Sequence, residues 1–274
     1  MRPGAAARGP PGGAPAIVRP AHYNAGSPRI CARRFPSSAL LAPRPSPLMS
    51  SLSSSSPDNT LWFDGAAGRV EALADTPPGA LKGIAVIAHP HPLLGGSATH
   101  KIPVALARLF EARGWLAVRP NFRGVGGTQG QHDAGEGETE DTLAVVGQLM
   151  RAHPGLSLAL AGFSFGAYVQ TRVAQRLTAG GERVASLVLA GMPAGPVPAG
   201  RSYDTPAVPA GALVVHGEQD ANAPLQGVFD WARPQELPVV VVPGANHFFT
   251  GKLPVFQRAV ARYLDQQARA AGAA

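Results

Sequence analysis

From residue 83 to residue 264, short uninterrupted apolar runs alternate with stretches whose apolar residues recur every three or four positions. The runs at 83–88 (GIAVIA), 115–120, 157–163, 183–190, 212–216 and 238–242 are too continuous for strands with one wet face, so each is expected to be buried on both sides. Between them, residues 101–113 place Ile102, Ala105, Leu106, Leu109 and Phe110 on one helical face and stop at Gly114. A second helix, 138–153, opens on Glu138, Glu140 and Asp141, where the helix dipole favours negative charge, and ends at Pro154. Further helices are expected over 165–177 and 225–231, and a closing helix turns Leu253, Phe256, Val260 and Leu264 inward. Strands and helices in this rhythm predict an α/β fold with a mostly parallel sheet covered on both faces. Two earlier strand candidates, 60–64 and 69–74, meet through Gly65–Gly68 and read as an antiparallel hairpin at one edge, making eight strands in one domain over residues 58–270. The Pro/Gly-rich segment 191–211 reads as a loop, too short for a helical cap domain, which leaves any site beneath it open.

Charge is distributed unevenly. Of 24 basic and 17 acidic residues, seven arginines and no acid precede Asp58, so the net charge of +7 belongs to the first 57 residues and the rest is balanced. A balanced body offers no basic stripe to phosphates, which argues against nucleic acid as a partner. The leader is rich in Pro, Gly, Ser and Arg, and a segment of that composition is expected to be disordered. An Arg- and Ser-rich, acid-free leader fits a transit peptide; Arg33-Arg34-Phe35 resembles a twin-arginine signal, although the apolar run behind it is too short; the favoured reading is that translation begins at Met49. The one cysteine, Cys31, lies in this leader, so the body has no disulfide, no thiolate metal site and no cysteine nucleophile. No apolar run in the body is long enough to span a bilayer, and no membrane partner and a cytoplasmic location are expected.

The chemistry centres on Gly162-Phe163-Ser164-Phe165-Gly166, which closes one expected strand and opens the next helix. A serine on so sharp a turn is forced into a strained backbone and pushed past the carboxyl ends of the strands, where open α/β sheets bind ligands. A neutral serine needs a base. His247, in PGANHFF after the last strand, is the candidate, with a turn or capping histidine as the plain alternative. Asp220, in VVHGEQDANAP after the preceding strand, is the candidate to orient it; Glu218 and, more weakly, Asp204 compete. The order Ser…Asp…His is that of α/β-hydrolases. Developing negative charge needs backbone donors: the N–H of Phe165, and one from HPHPLLGG (89–96), where Pro90 and Pro92 have none to give, so that His91 is preferred over Leu93. His89 and His91 lack a third ligand at metal spacing, so no metal is expected, and their rings are expected to hydrogen-bond within the loop.

With these motifs in place, residues 60 to about 268 resemble an α/β-hydrolase, and most nearly the small cap-less bacterial hydrolases similar to dienelactone hydrolase; HPHPLLGG, RPNFRGVGGTQG, GEGETED, AGFSFGAY and ANHFFTGKL carry the resemblance. It implies an ester-cleaving serine hydrolase with Ser164, Asp220 and His247 as its triad and no cofactor. Dienelactone hydrolase has cysteine where this chain has Ser164, so lactone specificity does not carry over. Acyl transfer or peptide cleavage on the same triad, and a hydrolase fold kept as a non-catalytic binding module, are the alternatives. Arg201 and Tyr203 in the 191–211 segment are possible substrate contacts, with a surface connector as the plain reading. Arg123 reads first as a structural salt bridge and second as a partner for a substrate carboxylate. A small-molecule ester is the expected partner.

Overall fold

The computed structural model describes residues 59–272. The expectations for the leader, Met49 and Cys31 lie outside the described residues.

Ten strands and five α-helices follow in the order β1 (Thr60–Gly65), β2 (Gly68–Asp75), β3 (Gly83–Ala88), α1 (Lys101–Glu111), β4 (Trp115–Pro120), α2 (Glu136–Ala152), β5 (Ser157–Phe163), α3 (Phe165–Ala179), β6 (Val184–Ala190), β7 (Gly195–Val197), β8 (Arg201–Tyr203), β9 (Leu213–Gly217), α4 (Leu225–Ala232), β10 (Val239–Val242) and α5 (Leu253–Gly272). Eight of the strands form one sheet in the order β1-β2-β4-β3-β5-β6-β9-β10. The β1–β2 and β2–β4 pairs are antiparallel and every other pair is parallel. This is the α/β-hydrolase architecture that the sequence implies.

Alternation along each central strand divides the core into two layers. From β3, Ile84, Val86 and Ala88 join Val145, Leu149, Val169, Val173 and Val228 of α2, α3 and α4. Ala85 and Ile87 face the other way, toward Ile102, Leu106 and Phe110 of α1 and Phe256, Val260 and Leu264 of α5. Because β3, β5, β6, β9 and β10 are parallel, the loops after them all leave from one rim of the sheet. His89, Ser164, Asp220 and His247 follow β3, β5, β9 and β10 and therefore share that rim.

Two differences from expectation have physical causes. The 191–211 segment contains a small hairpin, β7–β8, paired from Gly195↔Tyr203 to Val197↔Arg201. It is tied down from within: Thr205 Oγ1 donates to Pro193 O at 2.9 Å, and the Trp231 indole N–H of α4 donates to Thr205 O at 2.9 Å. Helix α2 starts at Glu136, two residues early, because Glu138 is a cap and not a solvated charge. It is fully buried and accepts from the backbone N–H groups of Asp133 and Gly135 and from His132 Nδ1. A carboxylate with that many donors offsets its own desolvation. Asp141, a turn later, accepts from Arg123 Nε at 2.6 Å and from the Ala66 N–H at 2.8 Å, so Arg123 is the structural ion pair that its first reading gave.

Candidate active site

Ser164 sits at φ 56°, ψ −125°, a conformation that an L-residue adopts only under constraint. The constraint is local. The Ser164 N–H donates to Ala190 O of the neighbouring β6 at 2.8 Å, and the Ser164 carbonyl accepts from Ala167 N–H as α3 begins. The flanking glycines are required by contact: a Cβ on Gly162 would collide with the Gly166 backbone, and one on Gly166 with the carbonyls of Ala88 and His89. Strand, turn and helix are thus pressed together until the Ser164 hydroxyl projects from the rim.

His247 Nε2 lies 3.0 Å from Ser164 Oγ, and His247 Nδ1 lies 2.7 Å from Asp220 Oδ2. The ionised carboxylate only accepts, which fixes the proton on Nδ1 and leaves Nε2 as an acceptor for the serine O–H. The ring is 5% exposed and rests against Phe163 at a centroid distance of 4.9 Å. Asp220 is held at both oxygens: Oδ1 accepts from the N–H groups of Asn222 and Ala223 at 2.9 and 2.8 Å, while Oδ2 takes His247. The competing Glu218 accepts instead from the Gly244 N–H at 2.7 Å and does not touch His247.

Sequence reasoning passed over a second histidine at this carboxylate. His216, wholly buried in β9, donates from Nε2 to Ala223 O at 2.7 Å and lies 3.3 Å from Asp220 Oδ2. Burial lowers its pKa and holds it neutral beside the acid. A lone histidine inside an otherwise apolar strand, VVHG, was the available signal.

The loop after β3 is braced by His89, whose Nδ1–H donates to Pro90 O at 2.7 Å and whose Nε2 accepts from the Phe122 N–H at 2.8 Å. Burial drives its pKa down to about 4 against the pull of the Pro90 carbonyl. The His89 ring therefore hydrogen-bonds to the loop as expected, whereas the His91 ring does not. Its Nδ1 is buried without a partner, and the ring packs on His132 and Phe165 at 4.6 and 4.9 Å. The His91 carbonyl accepts from the N–H groups of Leu94 and Gly96, closing a tight turn. Among the described residues, the N–H groups of His91 and Phe165 have no acceptor. Two rings in contact thus belong to two residues whose backbone donors are unspent.

The cleft at the serine has a volume of about 110 Å³ and is lined by His91, Leu94, His100, Val197, Tyr203 and Phe248, among others. Among the described residues there is no cluster of three or more His, Cys, Asp or Glu side chains able to hold a metal, and no helix long and apolar enough to cross a membrane.

Residues 91–237 match the family model of the alpha/beta hydrolase fold, and the chain belongs to that family. Among solved structures, a serine hydrolase without a lid from Xanthomonas campestris is 33% identical, with a TM-score of 0.68, covering 76% of this chain and 94% of that one. A protein of unknown function from Agrobacterium tumefaciens, assigned to the α/β hydrolases, is 30% identical with a TM-score of 0.68, covering 77% and 97%. An uncharacterized protein of Rickettsia prowazekii is 29% identical over 215 residues, covering 74% of this chain and 87% of its own. Among the described residues the 191–211 segment holds only the short β7–β8 hairpin and no helical cap, and the Xanthomonas structure is likewise without a lid.

Proposed function

We propose that this protein is a serine esterase that cleaves short carboxylic esters through an acyl-enzyme on Ser164. The observation that carries the reading is the chain of contacts from Ser164 Oγ to His247 Nε2 at 3.0 Å and from His247 Nδ1 to Asp220 Oδ2 at 2.7 Å, on a serine whose backbone is strained outward.

As Ser164 Oγ bonds to the ester carbonyl carbon, its proton passes to His247 Nε2, and Asp220 stabilises the imidazolium without taking a proton. The carbonyl oxygen becomes an alkoxide beside the unspent N–H groups of Phe165 and His91, which need no rearrangement to receive it. Collapse breaks the bond to the alcohol, which leaves with the proton from His247. A water then gives its proton to His247 and attacks the acyl carbon, releasing the acid and restoring Ser164.

The test is turnover of 4-nitrophenyl acetate and butyrate by the wild type and by Ser164→Ala. The variant is expected to lose about a thousandfold or more in kcat/KM, since residual binding and oxyanion contacts replace only part of the triad. Undiminished turnover in Ser164→Ala would overturn the reading.

A further inference from the structure

We propose that Arg201, with Tyr203, forms a subsite for a carboxylate on the substrate, so that the ester this enzyme takes is an anion. The proposal rests on the esterase reading and narrows its substrate class.

Arg201 stands on the β7–β8 hairpin and lines the same cleft as Ser164 and His247. Six arginines, among them Arg119, Arg123 and Arg172, have carboxylate partners; of the described arginines without one, Arg201 is the one that lines the cleft. Arg201 has none among the described residues: no Asp or Glu oxygen lies within 4.0 Å, and its one side-chain hydrogen bond runs from Nη1 to Tyr203 Oη at 3.2 Å. In that bond the tyrosine oxygen accepts, so its own O–H remains free to donate. The Tyr203 ring is buried and set edge-on against Tyr168 at 5.0 Å and Phe165 at 6.4 Å, which holds the pair in place. A guanidinium fork beside a phenol O–H is thus an array of donors with no acceptor opposite it. A carboxylate is the group whose two oxygens match that fork.

The charge of the cleft agrees. No acidic side chain lines it, and Asp220 lies behind the imidazole with its oxygens already engaged. His91 and His100, which share the wall, are held neutral near pH 7 by burial, which lowers each pKa to about 4. Arg201 is the one charged side chain among the lining residues, with Lys101 beyond it over the Phe248 ring at 5.6 Å, and a cleft focuses that positive field on an incoming anion.

The carboxylate can sit on the acid or the alcohol half of the ester, and matched pairs distinguish the two. One pair is mono-4-nitrophenyl glutarate against its methyl ester, the other 4-butyryloxybenzoate against its methyl ester. In one pair the wild type is expected to prefer the anion by about tenfold in kcat/KM, the scale of one partly exposed charge-assisted contact. Raising salt from about 0.05 to about 0.5 M should narrow that preference. Arg201→Gln should abolish the preference and Arg201→Lys should keep part of it, each read as the anion-to-neutral ratio. Equal turnover of anion and neutral ester in both pairs, or a preference that survives Arg201→Gln, overturns the subsite and leaves the esterase reading standing. Failure to turn over any of the four esters overturns the subsite, and the esterase reading falls with it only if 4-nitrophenyl acetate and butyrate are not turned over either.

Discussion

His89 ties the stability of the loop at the site to pH. It is wholly buried, its two nitrogens are spent on Pro90 O and the Phe122 N–H, and it carries the loop that presents the His91 N–H. Protonation would turn Nε2 into a donor facing another donor. Burial accordingly holds its pKa at about 4, against 6.5 for a free histidine. In the folded protein the ring stays neutral down to about pH 4, while in the unfolded chain it takes a proton near pH 6.5. Between those values the unfolded state binds more protons, so stability is full above pH 6.5 and falls as the pH drops toward 4. A shift from 6.5 to about 4 corresponds to about 3 kcal/mol from this group. His91 and His100 shift the same way and add to the slope. In His89→Gln the amide can still accept from Phe122 but no longer titrates. Urea midpoints between about pH 7.5 and 4.5 should therefore decline less steeply in the variant than in the wild type, though from a lower start. Parallel declines would show that His89 is not the group responsible.

At the scale of elements, β5, its turn and α3 behave as one machined piece, and β6 supplies its backstop. Gly191, just after β6, has φ 52°, and a Cβ there would lie 3.0 Å from Phe163 Cε2 and 3.4 Å from both Cε1 and Nδ1 of His247. Gly191→Ala should therefore strain the backbone and crowd Phe163, and through the packing of Phe163 on the imidazole it should shift His247 relative to Ser164. The expected result is a loss of about tenfold or more in kcat with little change in KM and an intact circular dichroism spectrum. Unchanged kcat would mean that the imidazole tolerates displacement.

The same elements explain how much was legible beforehand. Ser157–Phe163 and the start of α3 were evident because a continuous apolar run met a glycine-flanked serine, and both signals are local. The candidates Ser164, Asp220, His247 and the His91 loop followed from which strands end at one rim, which topology dictates. Hairpin β7–β8 was read as loop because three-residue strands among prolines and glycines carry no periodicity; contacts to Trp231 and Pro193, made only in the folded chain, define it. Glu138 was legible as a first-turn negative charge but not as a buried cap, because the N–H groups that bury it come from a loop whose path no local pattern shows.

At the scale of the whole molecule, function and charge are written in different parts of the chain. Among the described residues, the buried side chains of the two core layers and those lining the cleft fall between Phe63 and Leu264. The excess positive charge comes from the seven arginines ahead of Asp58, all of them before Met49. A chain beginning at Met49 therefore carries seventeen positive and seventeen negative side chains in place of 24 and 17. If catalysis and stability reside where the core and cleft are, such a chain should keep the thermal midpoint of the full chain within about 2 °C. Its kcat/KM on 4-nitrophenyl butyrate should likewise stay within about twofold. What should change is its behaviour toward polyanions: the full chain should be retained on heparin or a cation exchanger at low salt, and the shortened one should flow through, because non-specific attraction follows net charge. A fall of many degrees in the midpoint, or a lost turnover, would mean that residues before Met49 complete the core or the cleft, and that the division between charged leader and catalytic body is wrong.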